Sequence, residues 1–392
     1  MPTLYGHAYS RRDLAAHAGA LSQFAGVRLM TLGDGVERGI RMLEFRTGSG
    51  LRFTVLVDRA FDIADCDYKG AAIGWHSPAG FRHPGLHEYE GERGLAWLRS
   101  FSGLLVTCGL DHMLSAQTED AAHYHYPHRT AVDQSIHGRI GTIPGRLLGY
   151  GEEWRGDECF LYCEGLVQQS TVFGEDLHLI RRIEARVGAS EFTLHDRVVN
   201  HGFYRTPHML LYHISVGHPV LAEGSRYLAP ITHTPWAAHA VQYTAQGIGY
   251  RVMPAPIVNF TEQVWQHAMA ADAAGLVPVA LVNDALGLGL LVETNRAEFP
   301  CQYEWQNFHA GHYTFGIEPS TNHVLGKPFA EARGELMWLE HGQERRYTTR
   351  FTVLDGAEAI GATGRRIAAI AAQPAEAYPE PSGVWEPIRK EY

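Results

Sequence analysis

Apolar and polar side chains alternate at every second position through most of this chain, and no other feature restricts the fold as strongly. In LRFTVLVD, residues 51–58, Leu51, Phe53, Val55 and Val57 share one face while Arg52 and Thr54 take the other. That is the pattern of a strand with one buried side. In EFTLHDRVV, residues 191–199, Phe192, Leu194 and Val198 oppose Thr193, His195 and Arg197 in the same way. ALGLGLLVETN, residues 285–295, is more uniformly apolar and reads as a more fully buried strand. Glycine-containing clusters at 47–50 (TGSG), 173–176 (FGED) and 187–190 (VGAS) break these runs at hairpin-like intervals. The pattern predicts an all-β fold, antiparallel sheets packed as a sandwich with few short helices.

Helical signals concentrate at the two ends. Ser10 is suited to cap a short helix over about 10–24, with Leu14, Ala18 and Leu21 on one face. The Ala- and Pro-rich stretch 356–392 is expected to lie on the sandwich as a helix or an extended tail. No Gly/Ser-rich or Pro-rich linker divides the middle and no solenoid repeat recurs, so residues 1–392 are expected to form one domain.

Acidic residues outnumber basic ones by 43 to 33, a net charge of −10, and no basic stripe exists for a phosphate backbone. Nucleic acid is therefore not an expected partner. Cys66, Cys108, Cys159, Cys163 and Cys301 lack paired C-x-x-C spacing, which fits a reducing cytoplasm better than a disulfide framework. The charged N-terminal stretch is unlike a secretory signal, and no run of eighteen apolar residues predicts a membrane segment. A homodimer stays open.

Four segments carry polar, ring-bearing and glycine residues beyond what strands and hairpins need. In 57–70, Asp58, Arg59 and Asp62 read either as an exposed hairpin with surface ion pairs or as ligand contacts. In 135–145, glycines bracket His137 and Arg139, as suits a turn or a loop whose backbone approaches a ligand. In 205–221, His213 follows an apolar run; it is either a satisfied core histidine or a proton carrier near neutral pH. In 299–326, Glu304 and Glu318 stand among Tyr303, Trp305 and Tyr313. A carboxylate in that setting is partly desolvated and its pKa moves toward a general base's range.

Taken in order, DRAFDI (58–63), FSGLLVTCGL (101–110), HGRI (137–140), LLYHISVG (210–217), QYEWQN (302–307), GIEPSTN (316–322) and GQERRYTTRFTVL (342–354) resemble the aldose-1-epimerase family, and more closely its branch known as DUF4432. The resemblance implies a galactose mutarotase-like supersandwich with a sugar cleft across one sheet face. It implies His213 as the acid serving the ring oxygen and Glu318 as the base serving the anomeric hydroxyl. It implies His137 as a ring-binding histidine, Arg59 and Arg139 as forks for hydroxyls or an anionic group, and Glu304, Trp305 and Asn307 as further substrate contacts. The motifs HISVGH and EPST depart from the family's HSYFNL and ETQ, so Glu304 stays open as the base and plain galactose is not the expected substrate.

On this reading the partner is a small carbohydrate and no redox cofactor is required. Two other readings compete. The same acid–base pair could act on a keto-sugar, uronate or inositol derivative as an epimerase, lyase or hydrolase. His112, His123, His125, His137 and His213 then leave room for a divalent metal, although none shows i, i+4 pairing and HYHYPH at 123–128 reads equally as a surface loop. The other is a non-catalytic sugar-binding module stacking a ring on Trp75, Tyr212 or Trp305.

Overall fold

The computed structural model describes residues 1–379. Its larger sheet runs from edge to edge through Ile231–Ala238, Gln263–Met269, Cys301–Asn307, Thr314–Ser320, Thr206–Val216, Leu105–Leu110, Asp62–Tyr68, Leu51–Leu56, Arg41–Arg46 and Gly26–Thr31. The smaller sheet runs through Arg146–Arg155, Glu158–Ser170, Asp176–Arg186, Glu191–Asn200, Glu344–Asp355, Leu288–Asn295, Leu276–Asn283 and Arg226–Leu228. The ladders are antiparallel, and the turn clusters at 47–50, 173–176 and 187–190 fall at or beside hairpin connections, as their sequence predicts.

The alternation turns one face of each sheet toward a shared apolar core. Phe45 and Phe53 are cross-strand partners in the larger sheet, and Phe192 and Phe351 are partners in the smaller one. The pairs stack across the sandwich with Phe53 and Phe192 ring centroids 4.4 Å apart. Nearer the middle of the larger sheet the interior is polar. Arg181, wholly buried, bonds Asp196 through Nε at 2.8 Å and Nη2 at 2.6 Å, Asp62 Oδ1 at 3.1 Å and Thr107 Oγ1 at 2.9 Å. The Tyr212 hydroxyl donates to Asp196 Oδ2 at 2.5 Å. The two sheets are thus joined by charge-assisted bonds behind the strand Thr206–Val216.

Ser10 caps the helix Arg11–His17 with a reciprocal box to Asp13. The expected helix over 10–24 is shorter than its pattern, because Ala18 turns to an extended conformation and only a 3-10 turn, Leu21–Gln23, follows. At the other end, the expected helix or tail begins as the helix Ala357–Ile370, whose Ile360 covers Ala280, Val282, Leu291 and Leu354 on the outer face of the smaller sheet. Residues 380–392 of that expectation lie outside the described residues. The five cysteines are free and buried. Among the described residues no helix is long and apolar enough to cross a membrane.

The buried guanidinium yields a direct test. Arg181→Met should destabilise the fold by about 3–5 kcal/mol, since it strands two buried carboxylates, whereas the surface change Arg52→Met should cost about 1 kcal/mol or less. Denaturant unfolding compares them; equal effects would contradict the role given to the network.

Candidate active site

The outer face of the larger sheet carries a second set of polar groups, separate from the Arg181 network inside. In Thr206–Val216 the side chains of Leu210, Tyr212 and Ile214 enter the core while Met209, Leu211 and His213 point the other way. In Thr314–Ser320, Phe315 and Ile317 point inward, so Glu318 points outward. The strands pair Leu211 with Ser320 and Ile214 with Ile317, a register that sets His213 directly opposite Glu318. His213 Nε2 and Glu318 Oε1 stand 3.1 Å apart. They are close but not aligned for a hydrogen bond, and Oε1 has no other partner.

These two groups form the floor of a cavity of about 360 Å³, lined by Trp75, Trp97, Phe101, Trp236 and Trp305 among other residues. The Phe101 ring meets His213 edge-on at 4.4 Å and stacks on Trp97 at 4.4 Å. Trp305 meets His213 at 4.9 Å and is held by its indole N–H, which donates to Glu262 Oε2 at 2.8 Å. His137 completes the wall, 5.7 Å from the His213 ring, with Nδ1 buried and unpartnered. Gly316 explains how Trp305 and Glu318 fit together. A Cβ there would stand 2.8 Å from Glu318 Oε1 and 3.0 Å from Trp305 Cβ.

Burial decides the protonation of the floor. It pushes the Glu318 carboxyl up to about 8, with the nearby Glu262 charge adding to the effect. It holds the His213 imidazole well below its ordinary value, with His137 contributing, and it lowers His137 to about 3. Both shifts favour the neutral forms, a protonated Glu318 beside a neutral His213. The burying aromatic setting disfavours the charged form of each group, so burial opposes the expected arrangement of a protonated His213 beside an ionised Glu318.

The family model for DUF4432, a domain of unknown function, matches residues 37–353. The chain belongs to the DUF4432 family. No curated protein matches it. Among solved structures, a Klebsiella pneumoniae protein with the provisional description of an aldose 1-epimerase superposes with a TM-score of 0.80 at 24% identity, covering 93% of this chain and 91% of that one. A galactose mutarotase-like protein from Clostridium acetobutylicum gives 0.55 at 10% identity over 84% of this chain and 98% of its own. The galactose 1-epimerase of Lactobacillus acidophilus gives 0.51 at 11% identity over 84% and 99%. The fold of this DUF4432 chain is galactose mutarotase-like.

Of the residues singled out in the sequence, the cleft brings together His213, Glu318, His137, Trp305, Asn307 and Trp75. Three expected contacts are corrected. Arg59 is buried and spends its guanidinium on the carbonyls of Gly141, Arg82 and Ser100, at 2.8, 3.1 and 2.9 Å. It thereby holds the segment leading to Phe101. Arg139 lies outside the cleft lining, 4.1 Å over the Tyr89 ring. Glu304 faces inward, 3.1 Å from His267 and bonded by Gln306 at 2.6 Å, because it sits one residue out of phase with Trp305. Its carboxyl is held well above the usual range by burial, and its inward orientation keeps it out of the cleft lining.

Asp58 pairs with the part-exposed Arg41 and Asp62 with the buried Arg181, so the carboxylates of DRAFDI serve the scaffold rather than the cleft. Tyr212 likewise faces inward. His112 pairs with Glu119 at 3.3 Å, and among the described residues no three His, Cys, Asp or Glu side chains group as a metal site. Sequence reasoning missed Trp97, Phe101, Trp236, Glu262, His312 and Gly316. Phe101 and Gly316 open the motifs FSGLLVTCGL and GIEPSTN without being singled out there, and the aromatic run WLRSF at 97–101 offered a further signal.

Gly316→Ala should cost about 1–3 kcal/mol by overpacking and alter Trp305 fluorescence. Denaturation with emission spectra checks this; wild-type stability and spectrum would contradict the packing argument.

Proposed function

We propose that this chain interconverts the anomers of a sugar by acid–base ring opening. The observation that carries the reading is the outward His213–Glu318 pair, 3.1 Å apart on the floor of an aromatic cleft. Ring opening needs one proton donor and one acceptor at neighbouring oxygens, and this pair holds a single proton. The aromatic walls supply faces on which the apolar side of a pyranose can stack. Support by analogy comes from the similar fold of the Lactobacillus galactose 1-epimerase, which raises the expectation without deciding the substrate.

From the resting state, Glu318 gives its proton to the ring oxygen while His213 Nε2 takes the proton of the anomeric hydroxyl. The C1–O5 bond breaks and the C1 carbonyl forms. After rotation about C1–C2, Glu318 takes the proton back from the O5 hydroxyl, His213 returns its own to the carbonyl oxygen, and closure gives the other anomer. His137 is placed to hydrogen-bond a ring substituent through its unpartnered nitrogen. Asn307 and Glu262 offer further polar contacts on the wall.

His213→Ala and Glu318→Gln should each reduce anomer exchange by about 10²–10⁴-fold while the fold persists. Polarimetry or exchange NMR on freshly dissolved aldoses, uronates and ketoses measures this. Binding of a sugar without accelerated exchange would defeat the proposal.

The exchange rate should also be flat through neutrality and fall as pH rises through about 8, where Glu318 loses the proton it donates. The acid limb, set by His213, should lie below the ordinary histidine value. A kcat/KM profile that instead rises through pH 8 would contradict the assignment of the resting proton.

A further inference from the structure

Beside the cleft pair stands a hydroxyl that ring opening itself does not use. Ser215 follows His213 by two positions on the strand Thr206–Val216 and so shares its outward face. It is wholly buried, and its Oγ lies 3.1 Å from His213 Nδ1. The backbone fixes it on both sides. Its N–H donates to the Leu104 carbonyl at 2.7 Å, and its own carbonyl accepts from the Trp75 N–H at 3.1 Å. Across the ladder it faces Gly316, a position with no side chain to compete for the hydroxyl.

A neutral imidazole carries one N–H, and the bonds open to each nitrogen decide which one carries it. At Nδ1 the Ser215 hydroxyl is within reach and in line. At Nε2 the neighbour is Glu318 Oε1, equally close at 3.1 Å but out of line for a hydrogen bond and left unpartnered. A hydrogen on Nδ1 is therefore satisfied by Ser215, whereas one on Nε2 would point into an aromatic cleft without a protein acceptor. A second histidine shows what alignment on both sides does. His267 has Thr234 Oγ1 at 3.1 Å from Nδ1 and Glu304 Oε2 at 3.1 Å from Nε2, both hydrogen-bonded inside the sandwich. Both of its nitrogens are consumed, and at His213 only one is.

We infer that Ser215 is a positioning residue for the cleft: its hydroxyl accepts from His213 Nδ1–H and so keeps the Nε2 lone pair turned toward the substrate. The inference rests on the reading of His213 as the group that takes the proton of the anomeric hydroxyl. In that step the substrate O–H bond breaks and its proton passes to Nε2. The imidazole becomes an imidazolium whose Nδ1–H still donates to Ser215 Oγ. The hydroxyl accepts before and after, so no neighbouring dipole has to turn as charge develops on the ring. The other tautomer would present an N–H to the anomeric hydroxyl and could not take its proton.

Nitrogen-15 NMR of histidine-labelled protein tests this, with the His213 signals assigned by their loss in His213→Ala. The expected pattern in the sugar-free protein is a protonated Nδ1 and a bare Nε2. Ser215→Ala should move His213 to the Nε2–H form or a mixture, and should lower kcat for anomer exchange by about tenfold or more with KM little changed. Ser215→Cys is close to serine in size but a weak acceptor, so it separates bonding from packing. It should follow the alanine variant, whereas a side chain that merely fills space would leave the cysteine variant like the wild type. A wild-type His213 protonated at Nε2, or an Nδ1–H form that persists in both variants, would overturn the inference. The tautomer is read without substrate. A protein that exchanges no anomers would therefore defeat the functional reading, while the spectra still decide whether Ser215 sets the tautomer.

Discussion

The bond between the Tyr212 hydroxyl and Asp196, with Arg181 behind it, fixes which way the strand Thr206–Val216 faces. Side chains alternate along a strand, so a hydrogen-bonded Tyr212 inside the sandwich forces His213 out. A slip of one residue would bury the imidazole in apolar surroundings and expose the tyrosine. The ladder to Thr314–Ser320 then carries the same choice across to Glu318, and from there to Cys301–Asn307, where Trp305 faces outward and Glu304 inward. A buried charge network on one side of the sheet thus determines the chemistry on the other. Its value lies more in uniqueness of register than in net stability, since a buried ion pair recovers little beyond its own desolvation.

The cleft takes its character from what surrounds the pair rather than from the pair alone. His267 and Glu304 are also 3.1 Å apart, yet they are enclosed in the sandwich, where Gln306 and Thr234 satisfy them. His213 and Glu318 differ in facing a cavity, with Glu318 Oε1 unpartnered and aromatic walls keeping the local dielectric low. Similar groups at similar separation therefore form a structural joint on one face and a candidate proton relay on the other.

The fold was largely legible in the sequence, because period-two alternation and glycine turns are local signals. The two central residues of the cleft were reached only through motif resemblance, since His213 after LLY reads by itself as a core histidine. Arg59, Arg139 and Glu304 misled for a common reason. A charged residue beside glycine or aromatics looks like a ligand contact, and sequence does not show that Arg59 is consumed by three carbonyls or that Glu304 lies one position out of phase with Trp305. Trp97, Phe101 and Glu262 escaped notice because their loop and strand ends carry no periodic pattern. Gly316 escaped because the need for a missing Cβ appears only once Trp305 and Glu318 are seen above it.

The chemistry proposed for the cleft depends on which of its two central groups, Glu318 or His213, carries the resting proton. Carbon-13 NMR of the Glu318 carboxyl, assigned by comparison with Glu318→Gln and followed from pH 4 to pH 10, measures its location directly. A carboxyl that stays protonated through neutrality and titrates near about 8 agrees with the account. A carboxyl ionised throughout the neutral range, beside a protonated His213, would contradict it.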